Sequence, residues 1–256
     1  MKRQIFLFFL ALLSLTVSAQ IKTIQHQPKP DQQTPAKPTP KQPEPATKPT
    51  KTAPKPKQSP KPFDASLCPD GNHPHMIDLG LPSGTKWACC NVGANKPEGY
   101  GGYYAWGETG TKSAYNWSTY IHCRGSYDTC KDLGSDIAGT EYDVAHVKWG
   151  GYWVIPSKVQ QDELRNNCTY EWTTVNGVKG GKFTSKKNGK SIFLPAAGYR
   201  YGSDLYNAGS HGYFCSSTQG PSYADDAYYL YFYSGFTNTY NYYRNGGFMV
   251  RPVSRN

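Results

Sequence analysis

Nowhere does the chain hold an uninterrupted apolar run of the roughly 20 residues that a membrane-spanning helix takes. It also lacks a Gly-x-Ser-x-Gly elbow, a phosphate-binding P-loop and a His-Glu-x-x-His helix, so hydrolase, NTPase and metalloprotease readings have no local support. No two cysteine or histidine pairs combine at the two-to-four-residue spacing of a zinc module. His73 and His75 flank Pro74 near Cys68, but two turn histidines read more simply as exposed polar residues. A non-enzymatic chain with no metal and no cofactor is therefore expected. A basic folded surface is missing too. The formal net charge of +10 lies ahead of the folded part, where residues 28–62 carry eight Lys against Asp31 and Glu44, with Lys2, Arg3 and Lys22 before them. From residue 63 on there are 17 basic and 16 acidic side chains, a balance that argues against nucleic acid as a partner.

What is present divides the chain in three. Residues 1–19 read as a signal peptide: Lys2 and Arg3, an apolar stretch over Ile5 to Val17, and the small-residue site Val17-Ser18-Ala19. An uncleaved anchor is the alternative. No Cys follows directly, so no lipid anchor is indicated, and the mature chain is expected to be secreted or held in the cell envelope, in the periplasm or at the surface. Residues 20–62 read as a disordered linker. Twelve of the 20 prolines fall in 28–62 among Lys, Thr and Gln, a composition that excludes helix and sheet and favours polyproline II. At about 3.1 Å per residue it could reach on the order of 100 Å. Residues 63–256 form the folded domain.

Within that domain, Met76 to Leu81, Pro82-Ser83-Gly84 and Thr85 to Val92 read as strand, turn and returning strand. Asp143 caps a short helix with Val144 and Val147 on one face. Ser157 with Gln160 three residues on is a capping-box signature for a helix reaching Asn167. Thr169 to Leu194 reads as a meander with turns at Asn176-Gly177 and Asn188-Gly189. Few helices and many short strands predict an α+β fold of mainly antiparallel sheet. The seven cysteines fit an exported protein. Cys123 and Cys130 are spaced for a local bridge, and adjacent Cys89 and Cys90 on a strand would point to opposite faces.

The most unusual stretch runs from Leu194 to Val253, which holds 12 of the 21 tyrosines among Asn, Ser, Gly and Asp. Such a mixture suits recognition: Tyr gives stiff amphipathic contact, while Ser, Gly and Asn supply adaptable hydrogen bonds. In Ala227 to Tyr233 the residues alternate, with Tyr229, Tyr231 and Tyr233 on one face and Tyr228, Leu230 and Phe232 on the other. The Leu/Phe face is the core side; the tyrosine face is either open or packed under a loop. The candidate ligand-binding residues are Tyr201, Asp204, Tyr206, Asn207, His211, Tyr223, Asp225, Asn238, Tyr240, Asn241, Tyr242, Tyr243 and Arg244. A glycan or a protein is the expected partner. A structural envelope protein, its tyrosines mainly internal packing, is the alternative.

Five motifs in order carry a resemblance: Asp78-Leu79-Gly80-Leu81-Pro82-Ser83-Gly84-Thr85-Lys86-Trp87-Ala88, Cys90-Asn91-Val92-Gly93-Ala94, Tyr103-Tyr104-Ala105-Trp106-Gly107-Glu108, Leu194-Pro195-Ala196-Ala197-Gly198-Tyr199-Arg200 and the closing Gly247-Phe248-Met249-Val250-Arg251-Pro252-Val253. Together with Trp149-Gly150-Gly151 they resemble the Fibrobacter succinogenes major paralogous domain over residues 75–253. The resemblance implies a C-type-lectin-like fold, related to sulfatase-modifying-factor domains, on exported proteins of Bacteroidetes-like bacteria. Some lectin-like relatives are diversified by retroelements, and Phe236 to Arg244 has the matching composition. The calcium tripeptides of sugar-binding lectins, Glu-Pro-Asn, Gln-Pro-Asp and Trp-Asn-Asp, do not occur. Nor is the cysteine-pair motif of the sulfatase-modifying enzymes recognisable, which leaves an enzyme of that kind the weaker alternative. Cys89 and Cys215 stand where the family has other residues, and the resemblance suggests that they bond to each other.

Overall fold

The computed structural model describes residues 75–221 and 224–254. The signal peptide, the linker and Tyr223 lie outside the described residues. Strand β1 (Met76–Asp78) pairs with β2 (Lys86–Ala88) as an antiparallel hairpin, Met76 opposite Ala88. Gly80 and Gly84, at φ +62° and +74°, turn the chain between the two three-residue strands, and β2 ends where the chain bends at Cys89. Helix α1 (Val144–Trp149) starts at Asp143, whose carboxylate accepts from the amides of Gly139, Ala145, His146 and Ile155. One buried side chain thus satisfies two orphan helix donors and also ties α1 to β3 (Trp153–Val154) and its flank. Val144 is buried, but Val147 is 52% exposed, so the expected shared apolar face is absent: a helix of under two turns puts Val147 past the contact.

Helix α2 (Lys158–Asn167) carries the expected capping box, Ser157 accepting from the Gln160 amide and Gln160 from the Ser157 amide. The meander follows as β4 (Cys168–Val175), β5 (Val178–Ser185) and β6 (Ser191–Pro195). Asn176 and Gly177, at φ +48° and +82°, make the tight β4–β5 turn. Next come the hairpin β7 (Tyr199–Tyr201) and β8 (Asp204–Tyr206), then β9 (His211–Gln219), β10 (Asp226–Tyr233) and β11 (Phe236–Tyr243), in spatial order β11-β10-β9. The last strand, β12 (Val253–Ser254), inserts between β2 and β3. All pairings between these strands are antiparallel, and the architecture is α+β, with small sheets and few short helices.

The core lies where the two three-stranded sheets meet under α2. Leu230 and Phe232 of β10 are fully buried, and Phe232 sits among Phe183, Phe214 and Tyr170 at ring distances of 5.8–6.1 Å. Gly212 makes this possible: a Cβ there would lie 2.1 Å from the Phe232 ring. At the far side, the guanidinium of buried Arg251 donates to Asn91 Oδ1 and to the carbonyls of Ala88, Cys89 and Pro97. A buried cation so enclosed by acceptors stitches the chain after β2 to the approach of β12.

Three cysteine expectations resolve differently. Cys123 and Cys130 form a disulfide. Cys215 is a buried free thiol with its Sγ 3.9 Å from the Tyr104 carbonyl, so the bond to Cys89 is not made. Cys89 and Cys90 do not lie on a strand. The chain bends directly after Ala88, and their Sγ atoms converge instead of pointing apart.

Candidate functional site

Strands β9, β10 and β11 sort their side chains onto two faces by register. Tyr233 stands between His211 and Phe236; Tyr231 between Tyr213 and Asn238; Tyr229 between Cys215 and Tyr240; Ala227 between Gln219 and Tyr242. Direct partners share a face. The outer face is therefore a ladder of rings in mutual contact: Tyr231 with His211 at 5.7 Å, Tyr213 at 5.1 Å and Tyr240 at 5.9 Å, and Tyr233 stacked on Phe236 at 5.1 Å. Such contacts add about 0.5–1.5 kcal/mol per pair beyond burial.

The ladder is graded. At its inner end Tyr229, only 9% exposed, packs on Phe248 at 5.1 Å, with Tyr242 and Tyr199 beside them. At its outer end, by the Ser234-Gly235 turn, Tyr233 is 37% exposed. The β7–β8 hairpin borders the same face. Tyr199 stacks on Tyr206 at 5.4 Å and leans on Tyr213 at 4.7 Å, while Tyr206 itself is 42% exposed. Gly198 admits this docking, because a Cβ there would fall 1.9 Å from the Tyr206 carbonyl oxygen. Asn207 donates to the Tyr213 hydroxyl at 3.0 Å, and Ser210 Oγ lies 2.9 Å from His211 Nδ1.

Burial raises the pKa of Tyr213, Tyr229, Tyr231 and Tyr242, and the neighbouring tyrosines raise all four further. Their hydroxyls stay protonated at neutral pH and both donate and accept. Desolvation lowers the pKa of His211 below the ordinary histidine value. The face is thus uncharged, rigid and amphipathic, suited to stacking and hydroxyl hydrogen bonds.

The structure divides the residues expected to act together. Tyr206, Asn207, His211, Asn238, Tyr240 and Tyr242 belong to the ring-bearing face or its border. Tyr201 and Asp204 sit opposite each other in the β7–β8 hairpin, half-buried and exposed respectively. Asn241 and Tyr243 alternate to the other side of β11, where Asn241 donates to Asp226 and Tyr243 meets Trp117 edge-on at 5.3 Å. Arg244 is no surface residue: it is 1% exposed, lies 4.1 Å over the Trp106 ring and donates to the Lys131 carbonyl. Asp225 is buried too, its carbonyl accepting from the Arg244 amide. The chain turns inward after β11, and composition alone could not show that. Conversely, Tyr213, Tyr231, Tyr233 and Phe236 belong to the face and were not among the candidates. The period-two alternation of β10 was the signal for Tyr231 and Tyr233.

Glu108 accepts from the Ile121 amide and pairs with Lys112, the role of a carboxylate that holds a turn. Among the described residues, one group of three metal-capable side chains converges: His75, Cys89 and Cys90.

The fold and face define an α+β domain with an aromatic sheet surface. A family model described as a domain of unknown function, DUF8237, matches residues 158–253, from the start of α2 to β12. No curated protein and no solved structure matches the chain.

Proposed function

We propose that this chain is an exported, non-enzymatic recognition module of C-type-lectin-like architecture, and that it binds a glycan or a protein loop through the outer face of β9, β10 and β11. The observation that carries the reading is the open end of the ring ladder, where Tyr233, Phe236, His211 and the bordering Tyr206 offer ring surface to solvent on a sheet whose other side is packed. Aromatic side chains exposed in a row are costly to keep unless they meet something. The Cys123–Cys130 bridge supports export to an oxidising compartment. The alternative, a structural envelope protein, draws support from the inner end, where Tyr229 is enclosed.

Glycan and surface-protein arrays probed with the full chain, as wild type and as a Tyr206→Ala/Tyr233→Ala/Phe236→Ala triple variant, decide between them. The binding reading expects a ligand that the triple variant loses while keeping its far-ultraviolet circular dichroism and melting temperature. Unfolding of the triple variant, or no ligand on either array, favours the structural reading.

A further inference from the structure

His75, Cys89 and Cys90 have no part in the aromatic face, yet the fold brings their ligand atoms together. The β1–β2 register places His75 beside Cys89, whose amide donates to the His75 carbonyl at 2.9 Å. The bend after Ala88 then turns the Cys90 thiol to the same side. A ring nitrogen of His75 and the two Sγ atoms all lie within 4.8 Å of one another, and Cys89 Sγ stands 3.5 Å from His75 Nδ1. Zinc holds sulfur at about 2.3 Å and imidazole nitrogen at about 2.0–2.1 Å, so a tetrahedral site sets the two ligand atoms about 3.6 Å apart. The observed separation already matches.

The surroundings hold this geometry in place. All three residues are at most 1% exposed. The His75 ring is fixed by Trp149 at 4.6 Å and Trp153 at 5.0 Å. The Cys89 carbonyl is held by Arg251 Nη1 at 2.8 Å, and Cys90 Sγ lies 3.6 Å from the Ala94 carbonyl. Two thiols and an imidazole form a soft donor set that selects a thiophilic d10 cation over calcium or magnesium. Zinc suits that set, since thiolate and imidazole are its ordinary ligands. On binding, both thiol protons leave to solvent as two metal–sulfur bonds form, and the dication offsets the two thiolates it binds.

We infer that His75, Cys89 and Cys90 form a zinc site and supply three of its ligands. It pins the β1–β2 hairpin to the Trp149/Trp153 pair, remote in sequence from the aromatic face.

The test uses the full chain purified under reducing conditions. Zn2+ is titrated against a chromophoric chelator, and Co2+ serves as a spectroscopic probe. One metal per chain, thiolate-to-cobalt charge-transfer absorption and release of about two protons per zinc into weak buffer are expected. Loss of an outer hydrogen-bond partner alone weakens a metal site by about 10–100-fold, so Cys89→Ser, Cys90→Ser and His75→Ala should each weaken zinc by on the order of 100-fold or more. Because these side chains are buried, a second reading needs no variant: zinc should raise the melting temperature of the wild type, and a strong chelator should reverse it. Two results overturn the site. One is no charge-transfer band in wild-type protein whose thiols are fully reduced. The other is unreduced peptide mapping of exported protein that finds Cys89 or Cys90 bonded to Cys68 or to each other.

Discussion

The sheets β4–β5–β6 and β9–β10–β11 are built alike and finished differently. Each is three antiparallel strands, and each contains a pair of eight-residue strands joined by a two-residue turn ending in glycine at positive φ. On the first, the outward positions of β4 and β5 pair Thr169 with Thr184 and Glu171 with Lys182, the polar outer face of a half-solvated sheet. On the second, the equivalent positions pair Tyr231 with Tyr213 and Tyr233 with Phe236 and His211. Folding needs only one apolar face per sheet. The second sheet has two, and the surplus is the reason to place function there.

The largest expected effect breaks what the sheets share. Phe232 touches rings from both, so Phe232→Ala should cost about 3–5 kcal/mol by denaturant titration. A loss below about 1 kcal/mol would mean that the sheets are not joined through it. The next prediction separates the ends of the ladder. Tyr229→Ala should cost about 2–3 kcal/mol, and Tyr233→Ala under about 0.5 kcal/mol. Equal losses would erase the gradient on which the binding reading rests.

The smallest effect concerns pH. Desolvation lowers the pKa of His211 on the aromatic face and, foremost among its causes, that of His122 beneath Gly107. Each folded-state pKa lies below the unfolded value of about 6.5, so the unfolded chain takes up the protons more readily. Stability should therefore be full above that pH and fall as pH drops below it. His211→Gln should reduce the fall, read as melting temperature against pH. A melting temperature that rises on acidification through this range would contradict the buried, neutral histidines.

How much was legible in advance follows the range of the interactions. The capping box at Ser157 and Gln160, the Asn176-Gly177 turn and the alternation of Leu230 and Phe232 with the tyrosines each depend on residues within a few positions, and each appears as expected. The Cys123–Cys130 bridge spans seven residues and was likewise readable. The β1–β2 hairpin was placed correctly but drawn too long, since the chain turns at Gly80 after β1 and bends at Cys89 after β2. Tyrosine density marked the stretch that forms the ring ladder without its geometry. Composition assigns neighbours such as Asn241 and Tyr242 to one site, whereas a strand sends them to opposite faces.

By itself, then, the amino-acid order determined the local conformations: where helix α2 starts, where the chain reverses, and which side of β10 faces inward. Tertiary structure alone decided which tyrosines stay open, that Arg244 folds under Trp106, and that His75 meets two cysteines 14 and 15 positions later on the same side. Backbone preferences and hydrogen bonds between near neighbours act on the chain wherever it goes. The meeting of distant side chains exists only once the sheets have packed, because burial and register are properties of the whole.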